Sequence, residues 1–358
     1  MLCAPEPLHE ARLAHLAQRI PELMQHTAIP GFSLALIQDA QLYWSQGFGL
    51  RHAASHHPVT PDTVFEAASL SKPLFAYAAL KLCEEGILEL DRPLITYLPE
   101  PYLRHEPRQY DITLRHVLSH TTGFPNHALD GGDNPQPMKI SFPPGERFSY
   151  SCEGYLYLQK VVEHVTGQAP AAFMQAKLLQ PLGMHSSSYV WTGQPGTEVA
   201  YGHDSQEAPR DKRRWPTMNA AVSLHSTPHD YAQFMMAMMY QHPQQTLHLR
   251  ADLRQQMLTP QIKVNDSRSW HADWPKSQIT LHDHLSWGLG WGIQHHKHGS
   301  SFWHWGSTGI FQSFAVGFPK AGRGLVMMAN SANGPRLWQA ILRASIGGEH
   351  PAIDWFAD

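Results

Sequence analysis

Ser69 and Lys72 stand three residues apart in EAASLSKPLFAYAALKL, residues 66–82. On a helix that spacing puts both side chains on one face. Pro73 lacks an amide hydrogen and fits a helix only near its start, which places Ser69 at or just inside an N-terminus. Unpaired backbone N–H groups and the helix dipole favour a developing negative charge there. A lysine in a partly apolar pocket, here among Ala67, Ala68, Leu70 and Leu74, can lose its proton near neutral pH and act as a base. The pair is therefore either a nucleophile with its own base or two polar residues opening a surface helix. S-x-x-K occurs once in the chain, and that alone does not choose between them.

Two further segments bear on the choice. In PPGERFSYSCEGY (143–155), Tyr150 lies in a loop just before a predicted helix. A phenol there can face a cleft and exchange a proton when ammonium groups draw it off; the alternative is a core tyrosine packed on the helix that follows. In FWHWGSTGIFQSF (302–314), His304 and Trp305 precede the small residues Gly306 and Ser307. Small residues on an edge strand let a substrate approach and leave a backbone N–H to donate; alone, the segment also reads as a hairpin with a glycine bulge.

Around these residues the apolar spacing predicts alternating elements. Leu13, Leu16, Ile20 and Leu23 form a helical face that Pro21 is expected to bend or end. Gly31–Ile37 and Gln41–Gly49 read as strands about a turn at Asp39–Ala40. Helices are expected over Ser69–Glu85, over Leu114–His120 with Thr113 as N-cap, over Glu153–Val165 before Gly167, and from Thr227-Pro228-His229-Asp230 onward. The run Met235, Met236, Met238 and Met239 reads as adaptable core packing. Trp287–Gln294, Ser301–Trp305, Gln312–Phe318 and Gly324–Ala329 read as strands, and a last helix spans about Pro335–Ile346. Strand-rich ends thus flank a helix-rich middle, an α+β pattern with an antiparallel sheet assembled from both ends of the chain. The expected organisation is one unit over 1–358, with a discontinuous sheet part (1–75 and 282–358) and a mostly helical part (76–281). The irregular stretches 127–138 and 194–219 are expected to rim a cleft.

Composition narrows the function classes. With 42% hydrophobic and 16% charged residues the chain is globular, and a net charge of -3 without a Lys/Arg block gives no reason to expect nucleic acid or an anionic membrane surface. No apolar run reaches membrane-spanning length. MLCAPEPLHEARLAHLAQRI has no apolar h-region, so a cytoplasmic location is expected as the sequence stands, and a periplasmic or secreted one if a leader has been removed. Three cysteines do not make a disulfide framework. The 25 histidines raise a metal reading, through His116 and His120 at i and i+4, His282 and His284, and His295, His296 and His298. No H-E-x-x-H accompanies them, and they are read as surface or structural groups. There is no G-x-S-x-G of the α/β-hydrolase kind.

Taken together, Ser69-Leu70-Ser71-Lys72, Tyr150-Ser151-Cys152 and His304-Trp305-Gly306, in that order, resemble the motifs of the class C β-lactamase-like serine hydrolases. That superfamily includes class C β-lactamases, DD-peptidases, D-aminopeptidases and family VIII esterases. ITLRHVLSHTTGFP (112–125), FPPGERFSYS (142–151) and GYLYLQKVVEHVTG (154–167) are similar to it as well, and the resemblance covers roughly residues 28–330. It implies the β-lactamase/transpeptidase-like fold, with a site at the junction of sheet and helices. It implies Ser69 as the acylated nucleophile, Lys72 and Tyr150 sharing its proton, and the backbone N–H groups of Ser69 and Ser307 as an oxyanion hole. His304 takes the place of a third-motif lysine, donating a hydrogen bond or carrying charge toward a substrate carboxylate or Tyr150. Cys152, Trp305 and Gly306 fall on the substrate side. A thiol at 152 is a poor amide partner, and His304 and Trp305 depart from the usual lysine and threonine. These departures point to ester or amide hydrolysis at an aromatic-rimmed site, with weak or no β-lactamase activity. The alternatives are a D-peptidase or DD-carboxypeptidase, a β-lactamase, or a catalytically silent binding protein. The resemblance implies no metal or organic cofactor and a small-molecule ester, amide or D-peptide substrate, and does not fix the oligomeric state.

Overall fold

The structure, a computed structural model, describes residues 9–103, 106–126, 138–191, 198–211, 213–239, 248–265, 277, 280–296 and 299–357. The residues 127–137 and 194–197, parts of the two stretches expected to rim a cleft, and His298 lie outside these. The strands are β1 (Gly31–Gln38), β2 (Gln41–His52), β3 (His57–Pro58), β4 (Phe65–Ala68), β5 (Leu224–Ser226), β6 (Ile262–Asn265), β7 (Leu281–Trp287), β8 (Gly292–His296), β9 (Gly299–Ser307), β10 (Gln312–Phe318) and β11 (Arg323–Ala329). The helices are α1 (Glu10–Thr27), α2 (Ser71–Glu84), α3 (Leu114–Leu118), α4 (Cys152–Thr166), α5 (Pro170–Met174), α6 (Pro228–Met239), α7 (Ala251–Met257), α8 (Pro335–Ser345) and α9 (Pro351–Ala357).

Nine strands form one antiparallel sheet in the order β3-β2-β1-β11-β10-β9-β8-β7-β6, and β4 pairs with β5 in a second. The two ends of the chain meet where β1 pairs with β11, Phe32 opposite Ala329. The β1–β2 turn falls at Asp39–Ala40, both with positive φ (53° and 56°), as a tight hairpin of right-handed twist requires. Every residue of β1 before Gln38 is buried, so the strand is covered on both faces. Part of that cover is α6, which packs on β1, β2 and β11 and buries Met235, Met238 and Met239 as expected of adaptable core residues. Gly324 of β11 lets it approach: a Cβ there would stand 3.1 Å from Met239 Cε.

Of the two outcomes expected at Pro21, an end to the helix does not occur: α1 runs through it, with Leu16, Ile20 and Met24 buried on one face and Arg12 Nε donating to Ala344 O of α8 at 3.1 Å. Three other elements depart from the sequence reading. Trp287–Gln294 is not one strand: Gly288 and Gly290 (φ 89°) turn the chain between β7 and β8. Strand β6 comes from the stretch expected to be helical and pairs with β7. Helix α3 ends at Leu118, and His120 takes the left-handed conformation (φ 55°). His116 and His120 are therefore not on one helical face. His116 instead closes a capping box with Thr113. No helix of the described residues is long and apolar enough to cross a membrane.

Candidate active site

Ser69 lies in the turn between β4 and α2, two residues before the helix begins. Ala68 makes this turn with φ 50°, in the left-handed region that few side chains adopt. Hydrogen bonds fix the turn on several sides. Ser71 Oγ donates to Ala68 O (2.6 Å), Tyr231 Oη to Leu70 O (3.1 Å) and Tyr189 Oη to Ser71 O (2.7 Å). Pro73 sits in the first turn of α2, where the missing N–H removes no helical hydrogen bond. Ser69 keeps 8% of its surface exposed, while Lys72 has none.

Lys72 Nζ lies 3.1 Å from Ser69 Oγ, 3.3 Å from Cys152 Sγ and 3.0 Å from Ala221 O. It stands 4.7 Å from the centre of the Tyr150 ring. Burial pulls its pKa below the usual lysine range, and Cys152 opposes this. Tyr150 is brought to the same pocket from the loop ahead of α4, which starts at the Ser151 N-cap; Ser151 Oγ accepts from Gly154 N at 3.1 Å. The Ser69 hydroxyl favours the charged form of the Tyr150 phenol. Burial, reinforced by Cys152, raises the phenol's pKa well above the ordinary tyrosine value, and Ser69 only partly offsets this. Burial thus favours the protonated phenol.

The end of β9 runs along the Ser69 turn. A Cβ on Gly306 would stand 2.2 Å from Ala67 O and 3.1 Å from Ser69 N, so only glycine allows this approach. Ser313 Oγ of β10 ties the two together by donating to Ala67 O at 3.0 Å. Ser307, the next residue, is exposed beside the turn.

Three residues sit differently from their expected places. His304 is wholly buried, and its Nδ1 donates to Trp305 O at 2.7 Å. Burial, then the nearby Lys72, holds its pKa well below the ordinary value, so it is neutral and offers no cation to a carboxylate. Trp305 is 8% exposed, its ring 4.7 Å from that of Tyr150 and 5.4 Å from that of Trp355: a wall behind the phenol more than a rim. Cys152, the first residue of α4, points its thiol at the Lys72 amine.

The sequence reading gave His120 no part in this pocket. It is buried against Tyr150, with ring centres 4.3 Å apart. The signal was the SHTTG stretch, whose Thr-Thr-Gly ends the helical pattern at the histidine. Among the described residues no group of three or more His, Cys, Asp or Glu is arranged to hold a metal ion.

This arrangement has relatives. Protein flp of Staphylococcus aureus (strain NCTC 8325 / PS 47) is 24% identical over 336 residues, 87% of this chain and 63% of that protein. Esterase EstB of Burkholderia gladioli is 29% identical over 229 residues, 55% of this chain and 57% of that one. The chain spans about three-fifths of the length of these curated relatives. The crystal structure of SurE with D-Leu superposes with a TM-score of 0.75 at 25% identity, covering 96% of this chain and 78% of that one. The Beta-lactamase family model matches residues 16–345, so the chain belongs to that family and has its β-lactamase/transpeptidase-like fold.

Proposed function

We propose that this chain is a serine hydrolase that forms an acyl-enzyme at Ser69 and acts on small neutral esters. The arrangement about Lys72 Nζ carries the reading. A neutral amine has two N–H bonds and one lone pair. Nζ contacts Ala221 O, Cys152 Sγ and Ser69 Oγ; once neutral, it can donate its two N–H bonds to the first two and turn its lone pair toward Ser69 Oγ, 3.1 Å away. Burial favours that neutral form.

In the first step Ser69 Oγ bonds to the ester carbonyl carbon and its proton passes to Lys72 Nζ. The resulting oxyanion is received by the backbone N–H groups of Ser69 and Ser307. The bond to the leaving alcohol breaks as that oxygen takes a proton from the Tyr150 phenol, and the Lys72 ammonium reprotonates Tyr150. Water then adds to the acyl carbon, giving up a proton through the same pair. The acid leaves, and Ser69 Oγ recovers its hydrogen.

Two observations favour neutral esters. His304 is buried and neutral where a substrate carboxylate would call for a cation. The chain is also similar to Esterase EstB. A second reading, cleavage of amides that carry a D-residue, draws on the likeness to SurE solved with D-Leu. Kinetics on p-nitrophenyl butyrate, a D-alanyl-D-alanine peptide and nitrocefin separate them. The proposal expects kcat/KM highest on the ester and lost in Ser69→Ala. A higher value on the peptide would move the assignment to the second reading, and a higher value on nitrocefin would contradict both.

A further inference from the structure

His120 grips both neighbours of Tyr150. Its backbone carbonyl accepts from Ser149 N–H at 2.8 Å, and its ring Nδ1 accepts from Ser151 N–H at 3.0 Å. Its ring lies 4.3 Å from the phenol ring between those two contacts. The chain that follows extends the grip: Pro125 O accepts from Ser151 Oγ at 2.7 Å, and Asn126 O from Cys152 N at 2.8 Å. Because a backbone N–H can only donate, Nδ1 carries no proton, and in the neutral ring the hydrogen is on Nε2. Nε2 is buried with no hydrogen-bond partner among the described residues, an arrangement that folding stability alone does not favour. The residue also sits at φ 55°. An unpaired polar atom and an uncommon backbone conformation at one position point to a task set by the site.

We propose that His120 is a positioning residue for the reaction: through its unprotonated Nδ1 and its carbonyl it holds the Ser149–Ser151 segment so that the Tyr150 hydroxyl stays on Ser69. This rests on the hydrolase reading above. The Nδ1 bond is the specific element. Any residue at 120 supplies the carbonyl, and only a side-chain acceptor about two bonds beyond Cβ replaces Nδ1.

Two substitutions isolate it, and both tolerate the left-handed conformation. His120→Asn keeps an acceptor, Oδ1, near the position of Nδ1. His120→Gly keeps the backbone and removes the acceptor. On p-nitrophenyl butyrate, kcat of His120→Gly should fall about 10²-fold, the scale of a misplacement of about 1 Å, with KM within about threefold. His120→Asn should recover to within about tenfold of the wild type. Melting curves on both variants and intact-mass labelling of Ser69 by a fluorophosphonate accompany the kinetics. Equal loss in the two variants, with both folded, would overturn the role of Nδ1, as would kcat unchanged in both or an effect on KM alone. If His120→Gly fails to melt cooperatively, His120→Asn decides: activity more than about 10²-fold below the wild type in a folded protein overturns the proposal. A wild type that neither labels nor turns over would refute the hydrolase reading instead, so the two failures are distinguishable.

Discussion

Cys152 Sγ sits 3.3 Å from Lys72 Nζ, although the two residues are 80 positions apart in the chain. The thiol is one of three acceptors around the amine, with Ala221 O and Ser69 Oγ. It also holds the Lys72 pKa up against the effect of burial. Cys152→Ala removes both effects. The ammonium then loses a partner, so the Lys72 pKa falls further. The rising limb of kcat/KM against pH, where Lys72 becomes neutral, should move to lower pH. At the plateau kcat should fall about tenfold as the amine loses its orientation. Cys152→Ser, which keeps an acceptor, should lie between. Full pH–rate profiles of the three proteins check this.

Lys72 itself divides charge from basicity. Lys72→Met keeps the length of the side chain and removes the base. Lys72→Arg keeps the charge but cannot be neutral at working pH. Both should lose at least about 10²-fold in kcat, the lower end of what general-base catalysis contributes. Their stabilities should diverge. Met fits a fully buried site, whereas Arg puts a larger fixed charge into it, so Lys72→Met should melt higher than Lys72→Arg. Thermal melts beside the kinetics test both halves.

Tyr150→Phe keeps the ring against His120 and Trp305 and loses only the hydroxyl that meets Ser69. Its kcat should fall about 10²–10⁴-fold. Its melting temperature should stay within about 4 °C of the wild type, since a single buried hydroxyl changes stability by about 1 kcal/mol. The phenol's pKa lies well above its ordinary value, so the wild type should show no falling limb from Tyr150 up to about pH 10. A descending limb at pH 8–9 that disappears in Tyr150→Phe would count against a protonated phenol at rest.

Gly306→Ala adds one methyl group 2.2 Å from Ala67 O and 2.4 Å from Ser313 Oγ. The backbone carbonyl cannot yield without moving the Ser69 turn. The variant should melt lower than the wild type and lose about 10²-fold in kcat/KM, as the two oxyanion donors separate. Circular dichroism melts and ester kinetics measure each effect.

Part of the local structure was legible in short patterns. The spacing of Ser69, Lys72 and Pro73 put Ser69 at or just inside a helix start, and it lies two residues ahead of that start. Tyr150 was recognisable from a loop leading into a capped helix. What local spacing could not give is the third dimension. Ala221 O reaches Lys72 from 149 residues away, and no pattern near either residue marks the contact. His304 was placed by the resemblance alone, in the position of a third-motif lysine, and no local pattern marked it as buried. Its burial comes from rings brought in by other elements, among them Trp287 and Trp291. His120 was read by helical spacing to His116, and the helix stops two residues before it. The same competition between local pattern and tertiary packing explains the fold differences. Pro21 stays helical because Leu16, Ile20 and Met24 hold its helix down, and Gly288 and Gly290 break what aromatic content made look like one strand.

The central claim is that Ser69 is a nucleophile activated by Lys72. Intact-mass spectrometry after exposure to a fluorophosphonate probe tests it most directly, on the wild type, Ser69→Ala and Lys72→Met. The account predicts one adduct on the wild type, mapped to Ser69, none on Ser69→Ala, and labelling of Lys72→Met slowed by at least about 10²-fold. A folded wild type that takes no adduct, or a Lys72→Met that labels at the wild-type rate, would contradict it.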